Sequence, residues 1–108
     1  MSKPPLPPPL HQPLGIYRHC GGGEYRVLFT MRDSTNGPDE GRTLVCYLSL
    51  TTGQFLAREH SQFNEYVYYH GVTAKAYSAA EYLQMTEQGS WASHEFSYCR
   101  RFELQKAA

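Results

Sequence analysis

The chain has no excess of either charge: ten lysines and arginines balance ten aspartates and glutamates over 108 residues, giving a formal net charge of zero. Without a net field, no long-range attraction draws it to nucleic acid, an anionic membrane or a polycation, so a charged ligand has to be held by local geometry. Long apolar runs are also missing. The most apolar one, LVCYLSL at residues 44–50, falls far short of the roughly 20 residues that span a bilayer, and no apolar leader follows Met1. The expectation is a soluble protein without membrane contact. Cysteine is scarce and odd in number, with Cys20, Cys46 and Cys99, which argues against a disulfide framework and for a reducing cytoplasm.

The patterns that carry common chemistries are absent too. CGGGE at residues 20–24 offers backbone amides to an anion, but a nucleotide-binding loop also needs a lysine and a hydroxyl residue opening a helix. The residues after Gly23 read as a strand instead. His19 and Cys20 are adjacent, so on a strand they point to opposite faces, and Cys46, His60, His70, His94 and Cys99 are scattered without the paired spacing of a zinc site. There is no nucleophile elbow, no H-E-x-x-H and no paired acidic motif. The residues point to a binding module without metal or cofactor, with a small enzyme as the less favoured reading.

Aromatic residues, by contrast, are abundant: nine tyrosines and five phenylalanines. Most recur in strand-like alternation, which suits a half-buried sheet. Residues 1–13, MSKPPLPPPLHQP, hold six of the seven prolines and read as a flexible polyproline II arm unable to enter a sheet interior. Pro4 with Pro7 and Pro5 with Pro8 have the spacing of an SH3 or WW ligand. Lys3 lies directly beside Pro4, which favours a solvated tail.

IYRH and EYRVLFTMR flank the glycines as two strands, so HCGGGE reads as a hairpin bend; Tyr25, Val27 and Phe29 alternate along the second strand. Asp33 to Gly41 is a loop, and Arg42 to Leu50 is a core strand. TTG then connects to QFLARE, and NEYVYYHG adds a further strand. About five short strands favour a small, strongly bent antiparallel sheet or barrel. Ser78 and Glu81 form a capping box for a helix over Ala79 to Gln88, with Tyr77 and Tyr82 as a hydrophobic staple and Gly89 as the stop. EFSYCRRFEL comes next as one final strand, with Arg100 breaking its apolar face.

Arg18 and Arg26 flank the bend, each preceded by a tyrosine. If the strands pair, both arginines share one face and Tyr17 and Tyr25 the other. Joined by Arg58 or Arg100, such guanidiniums would hold a phosphate or carboxylate. The alternative is solvent-facing arginines ion-paired with Glu24, Glu59 or Glu103.

GIYRHCGGGEYRVLFTMR, then TLVCYLSL, then FLAREHSQFNEYV resembles the small bacterial and phage family known as domain of unknown function 1653. The resemblance lies in Gly15, Tyr17, Arg18, His19, Gly21 or Gly22, Tyr25, Val27, Leu28, Leu44, Val45, Tyr47, Arg58 and Phe63, and covers Gly15 to Val67. The family's Tyr-Lys after the histidine is replaced by Cys20 and glycine, and its W-V-R-P by FLARE. The resemblance implies an SH3-like β-barrel followed by an inserted segment, Tyr68 to Ser97, that carries the helix. It brings no activity, because the family is uncharacterised. It directs attention to Tyr17, Arg18, His19, Tyr47 and Arg58, which with Arg26 form the expected ligand-binding set. The function expected is a non-catalytic module binding a nucleotide, nucleic acid or acidic peptide through arginine and tyrosine. The alternative is an adaptor acting through the proline arm or the inserted helix.

Overall fold

Apolar alternation at period two builds strands, and the computed structural model, which describes residues 5–89 and 91–108, contains eight of them. β1 (Gly15–His19), β2 (Glu24–Arg32), β3 (Thr43–Ser49) and β4 (Phe55–Glu59) run as consecutive antiparallel hairpins. A short helix, α1 (His60–Phe63), leads to β5 (Tyr66–His70) and β6 (Lys75–Tyr77). Helix α2 (Ala79–Glu87) is next, and the chain ends in β7 (Phe96–Arg100) and β8 (Phe102–Ala107). One sheet has the order β4-β3-β2-β1-β8 and the other β6-β5-β7.

The mainly β expectation holds, but the barrel does not. β4 and β8 form the two open edges of the larger sheet. After β4 the chain departs through α1, which packs on β3 and β4, and places the fully buried Phe63 on the inner face. The chain then builds the second sheet before returning as β8. The described strands thus form two antiparallel sheets and no closed barrel.

The expected single final strand is two strands serving different sheets. The two strands part at Arg101. Arg101 N donates to Glu65 O at 2.9 Å beside the second sheet, while its own carbonyl accepts from Cys20 N at 3.0 Å beside the first. Both of its backbone groups are thus satisfied while the chain changes sheets. Phe102 then enters the core, where Tyr17, Val27, Val45, Tyr47 and Phe63 surround it.

A register shift lies between Val27 and Phe29. Val27 pairs with Tyr47 on the core face, but Phe29 pairs with Cys46, so the bulge at Leu28 carries Phe29 to the outer face, where it is 51% exposed. The uniform alternation expected for this strand fails at that point. At the β1–β2 bend Gly22 has φ 107°, a conformation costly for any residue with a Cβ. HCGGGE is the expected hairpin bend.

Proline explains why residues 5–13 form no strand, yet this segment is not a free tail. Arg32 donates from Nε to Pro7 O at 2.8 Å and from Nη2 to Pro8 O at 2.5 Å. Leu10 N donates to Thr43 Oγ1 at 3.0 Å, and His60 Nε2 to His11 O at 3.1 Å. The carbonyls that proline leaves unpaired are taken up by the domain's own side chains, which corrects the flexible-arm expectation for residues 5–13. Residues 1–4 lie outside the described residues.

Helix α2 has the expected capping box: Glu81 N donates to Ser78 Oγ at 3.2 Å and Ser78 N to Glu81 Oε1 at 3.1 Å. Tyr82 stacks on Tyr68 of β5 with centroids 3.9 Å apart, and both Tyr77 and Tyr82 meet Phe96 edge-on. Ser78→Ala should lower stability by about 1 kcal/mol, measurable as a shift in the urea midpoint. An unchanged midpoint would mean that α2 contributes nothing to the folded state.

Candidate functional site

Period-two alternation decides which arginines face the core. In β4, Leu56 pairs with Tyr47 and Arg58 with Val45, and Val45 and Tyr47 are both core residues. Arg58 is therefore on the inner face of the larger sheet, a costly place for a cation unless its head finds partners. Its Cζ stands 5.9 Å from the centroid of the Phe102 ring, at cation–π distance.

His19 reaches the same ring from β1. It pairs with Phe102 of β8, and the two rings meet edge-on at 5.0 Å. Gly21 N donates to His19 Nδ1 at 2.9 Å, so in the neutral imidazole the proton sits on Nε2. Burial, and after it the charges of Arg101 and then Arg58, hold the imidazole pKa below its ordinary value.

Arg101 completes the cluster from the point where the chain changes sheets. Its side chain is 14% exposed, and Nη2 donates to Glu65 Oε1 at 2.5 Å. The remaining donors are less well served: the Nε atoms of both Arg58 and Arg101 are buried with no hydrogen-bond partner among the described residues. Buried polar groups are nearly always paired, so two such donors beside one histidine mark a place that calls for an acceptor. Glu65 pairs with Arg101, and no carboxylate pairs with Arg58 among the described residues, which leaves the cluster locally positive.

Of the six expected binding residues, the structure brings His19 and Arg58 together. Tyr17 and Tyr47 are core aromatics, 3% and 4% exposed. The Tyr17 hydroxyl donates to Pro13 O at 2.6 Å and accepts from Gln12 Nε2 at 3.0 Å, so both tyrosines support the cluster from below. Arg18 and Arg26 do share one face, since Ile16 pairs with Arg26 and Arg18 with Glu24. That face is the outer one, where both are exposed and neither makes an ion pair among the described residues. Tyr17 and Tyr25 pair on the inner side.

The residue the sequence reading missed is Arg101. Arg100, named in its place, stands over the Tyr66 ring. The sequence held no local signal for it: alternation counted back from Phe102 selects Arg100, and that count fails because the chain changes sheets at Arg101. His70 is committed to structure: it is fully buried, its Nδ1 accepts from Thr73 N at 3.1 Å, and its Nε2 meets Glu95 at 3.0 Å. Among the described residues no three histidine, cysteine, aspartate or glutamate side chains gather as metal ligands would, and no helix is long and apolar enough to cross a membrane.

The sequence profile of the family described as Protein of unknown function (DUF1653) matches residues 15–103. The match extends past Val67 and encloses the segment expected to be an insertion, including α2. No curated protein and no solved structure matches the chain.

Proposed function

We propose a function for this chain, which belongs to the family described as Protein of unknown function (DUF1653), from its site: it is a small module that binds a phosphate- or carboxylate-bearing ligand at His19, Arg58 and Arg101. The observation that carries this reading is the pair of buried, partnerless Nε donors grouped with His19 around Phe102. An oxyanion supplies acceptors for both donors and offsets the local positive charge, and arginine forks match its geometry. A cluster of two guanidiniums and an imidazole has the donors of a binding site; the Cys20 thiol lies 3.8 Å from His19 Nδ1, but burial raises its pKa and disfavours the thiolate, which favours binding over catalysis. The three free cysteines fit a reducing cytoplasm as its compartment.

Ligands that bind only the folded state raise its melting temperature in proportion to RT ln(1 + [L]/Kd). Inorganic phosphate, pyrophosphate and succinate should each be titrated in a thermal-shift experiment. At least one should stabilise the parent protein. Arg58→Gln and Arg101→Gln should each weaken that ligand about tenfold or more, the scale of a lost hydrogen bond to a charged group. Arg26→Gln, on the outer face, should leave it unchanged. No stabilisation by any of the three, or equal loss in Arg26→Gln, would contradict the assignment.

A further inference from the structure

The second sheet has its own unused surface. Residues alternate along β5 and β7 so that Tyr66 pairs with Arg100, Tyr68 with Tyr98 and His70 with Phe96, all on one face. Half of that face is covered: Tyr82 of α2 lies on Tyr68 and meets Phe96 at 5.0 Å, and Trp91 meets His70 at 4.5 Å. The other half is open. Tyr66 is 48% exposed and Tyr98 63%, yet the two rings are held stacked, with centroids 5.2 Å apart and planes 17° from parallel. Tyr98 is braced in turn by Tyr68 at 4.8 Å. The Arg100 Cζ stands 5.0 Å from the Tyr66 centroid, and Arg100 makes no ion pair among the described residues.

This combination selects an occupant. The paired positions of the face hold tyrosine, histidine, phenylalanine and arginine, with no carboxylate. A second copy docked face to face about an axis at Arg100 would bring the two guanidiniums together, with no carboxylate at the paired positions of the face to neutralise them. A purely apolar partner would leave the guanidinium buried without a counter-charge. Rigid exposed rings beside an unpaired cation match a ligand that offers both flat π surfaces and negative charge. Bases of a single strand stack on such rings, whereas a duplex keeps its base faces to itself.

We infer that Tyr66, Tyr98 and Arg100 form a platform for single-stranded nucleic acid, with a base stacking on Tyr98, the more exposed ring, which Tyr66 braces, and Arg100 meeting a backbone phosphate. The platform shares none of the three residues His19, Arg58 and Arg101, although Arg100 also borders a cavity lined by His19 and Cys20. With a net charge of zero and one cation on the platform, binding is modest and draws its strength from stacking.

The test is fluorescence anisotropy of a labelled oligothymidylate titrated with the full chain at low salt. The expected result is saturable binding, with a duplex of equal length bound far more weakly. Tyr98→Ala should weaken it about tenfold or more, the scale of one lost stacked base, while Tyr98→Phe, which keeps the ring, should retain it. Arg100→Gln should reduce the log–log salt slope by about 0.7, one phosphate contact to a single strand. Arg58→Gln should leave binding intact, which separates this platform from the anion cluster. No binding of the oligothymidylate, equal binding of the duplex, or full affinity in Tyr98→Ala would overturn the inference. So would capture of a proline-rich peptide at the tyrosines without capture of the oligothymidylate.

Discussion

Replacing Phe102 by alanine should lower stability by about 3–5 kcal/mol, the range for emptying a buried aromatic site. The ring stacks on Phe63 with centroids 4.2 Å apart and contacts Tyr25 at 5.5 Å and Tyr47 at 5.4 Å. It also supports His19 and Arg58 from beneath. Few neighbours can collapse into the gap, because the sheet backbone on one side and α1 on the other are fixed by their own hydrogen bonds. A domain of this size has roughly 5–15 kcal/mol in total, so the variant should be largely unfolded at mild urea concentrations. A loss below about 1 kcal/mol in equilibrium urea denaturation would show that Phe102 is not the centre of this core.

The second large effect is expected from removing residues 1–13. This segment looks dispensable in sequence, but Gln12 is 5% exposed and bridges two parts of the domain. Its Nε2 donates to the Tyr17 hydroxyl, and its Oε1 accepts from Asn64 Nδ2 at 2.7 Å. Pro13 O accepts the Tyr17 hydroxyl proton, and the truncation also takes the carbonyls of Pro7 and Pro8 from Arg32. Each buried polar group left unsatisfied costs about 1–3 kcal/mol. The truncated chain should therefore be at least about 2 kcal/mol less stable by urea denaturation, with Gln12→Ala reproducing part of the loss. An unchanged midpoint would return the segment to the status of a solvated tail.

The sequence was most readable where local chemistry acts alone. The Ser78–Glu81 capping box, the glycine bend after His19 and the hairpins from β1 to β4 each arise from residues close together in the chain. Prediction failed where distant residues compete. Phe96, Tyr98, Phe102 and Leu104 have the parity of one strand, and nothing local reveals that Arg101 hands the chain from one sheet to another. Proline correctly excluded residues 5–13 from a sheet, but composition does not disclose that Arg32, Thr43 and His60 would bind their backbone. The bulge at Leu28 and the use of Phe63 and α1 in place of barrel closure likewise depend on tertiary packing.

The same division explains the site. The family resemblance directed attention to His19, Arg58, Tyr17 and Tyr47; the structure sets His19 and Arg58 against the Phe102 ring and places Tyr17 and Tyr47 in the core. Arg101 was missed because choosing between two adjacent arginines requires the direction of each, which is set by the sheet change. Arg18 and Arg26 share a face as their spacing demands, but which face lies outward depends on what packs against the sheet.

The most direct measurement is an NMR pH titration of the His19 ring without and with saturating inorganic phosphate. In the free protein burial and the two arginines hold its pKa below 6.5, so His19 contributes stability that is present above that value and is lost as pH falls through the lowered folded value. A phosphate oxygen beside the ring favours the imidazolium, so the pKa should rise on binding and affinity should increase on acidification. A His19 pKa that stays depressed and unmoved at saturating phosphate would contradict the anion site.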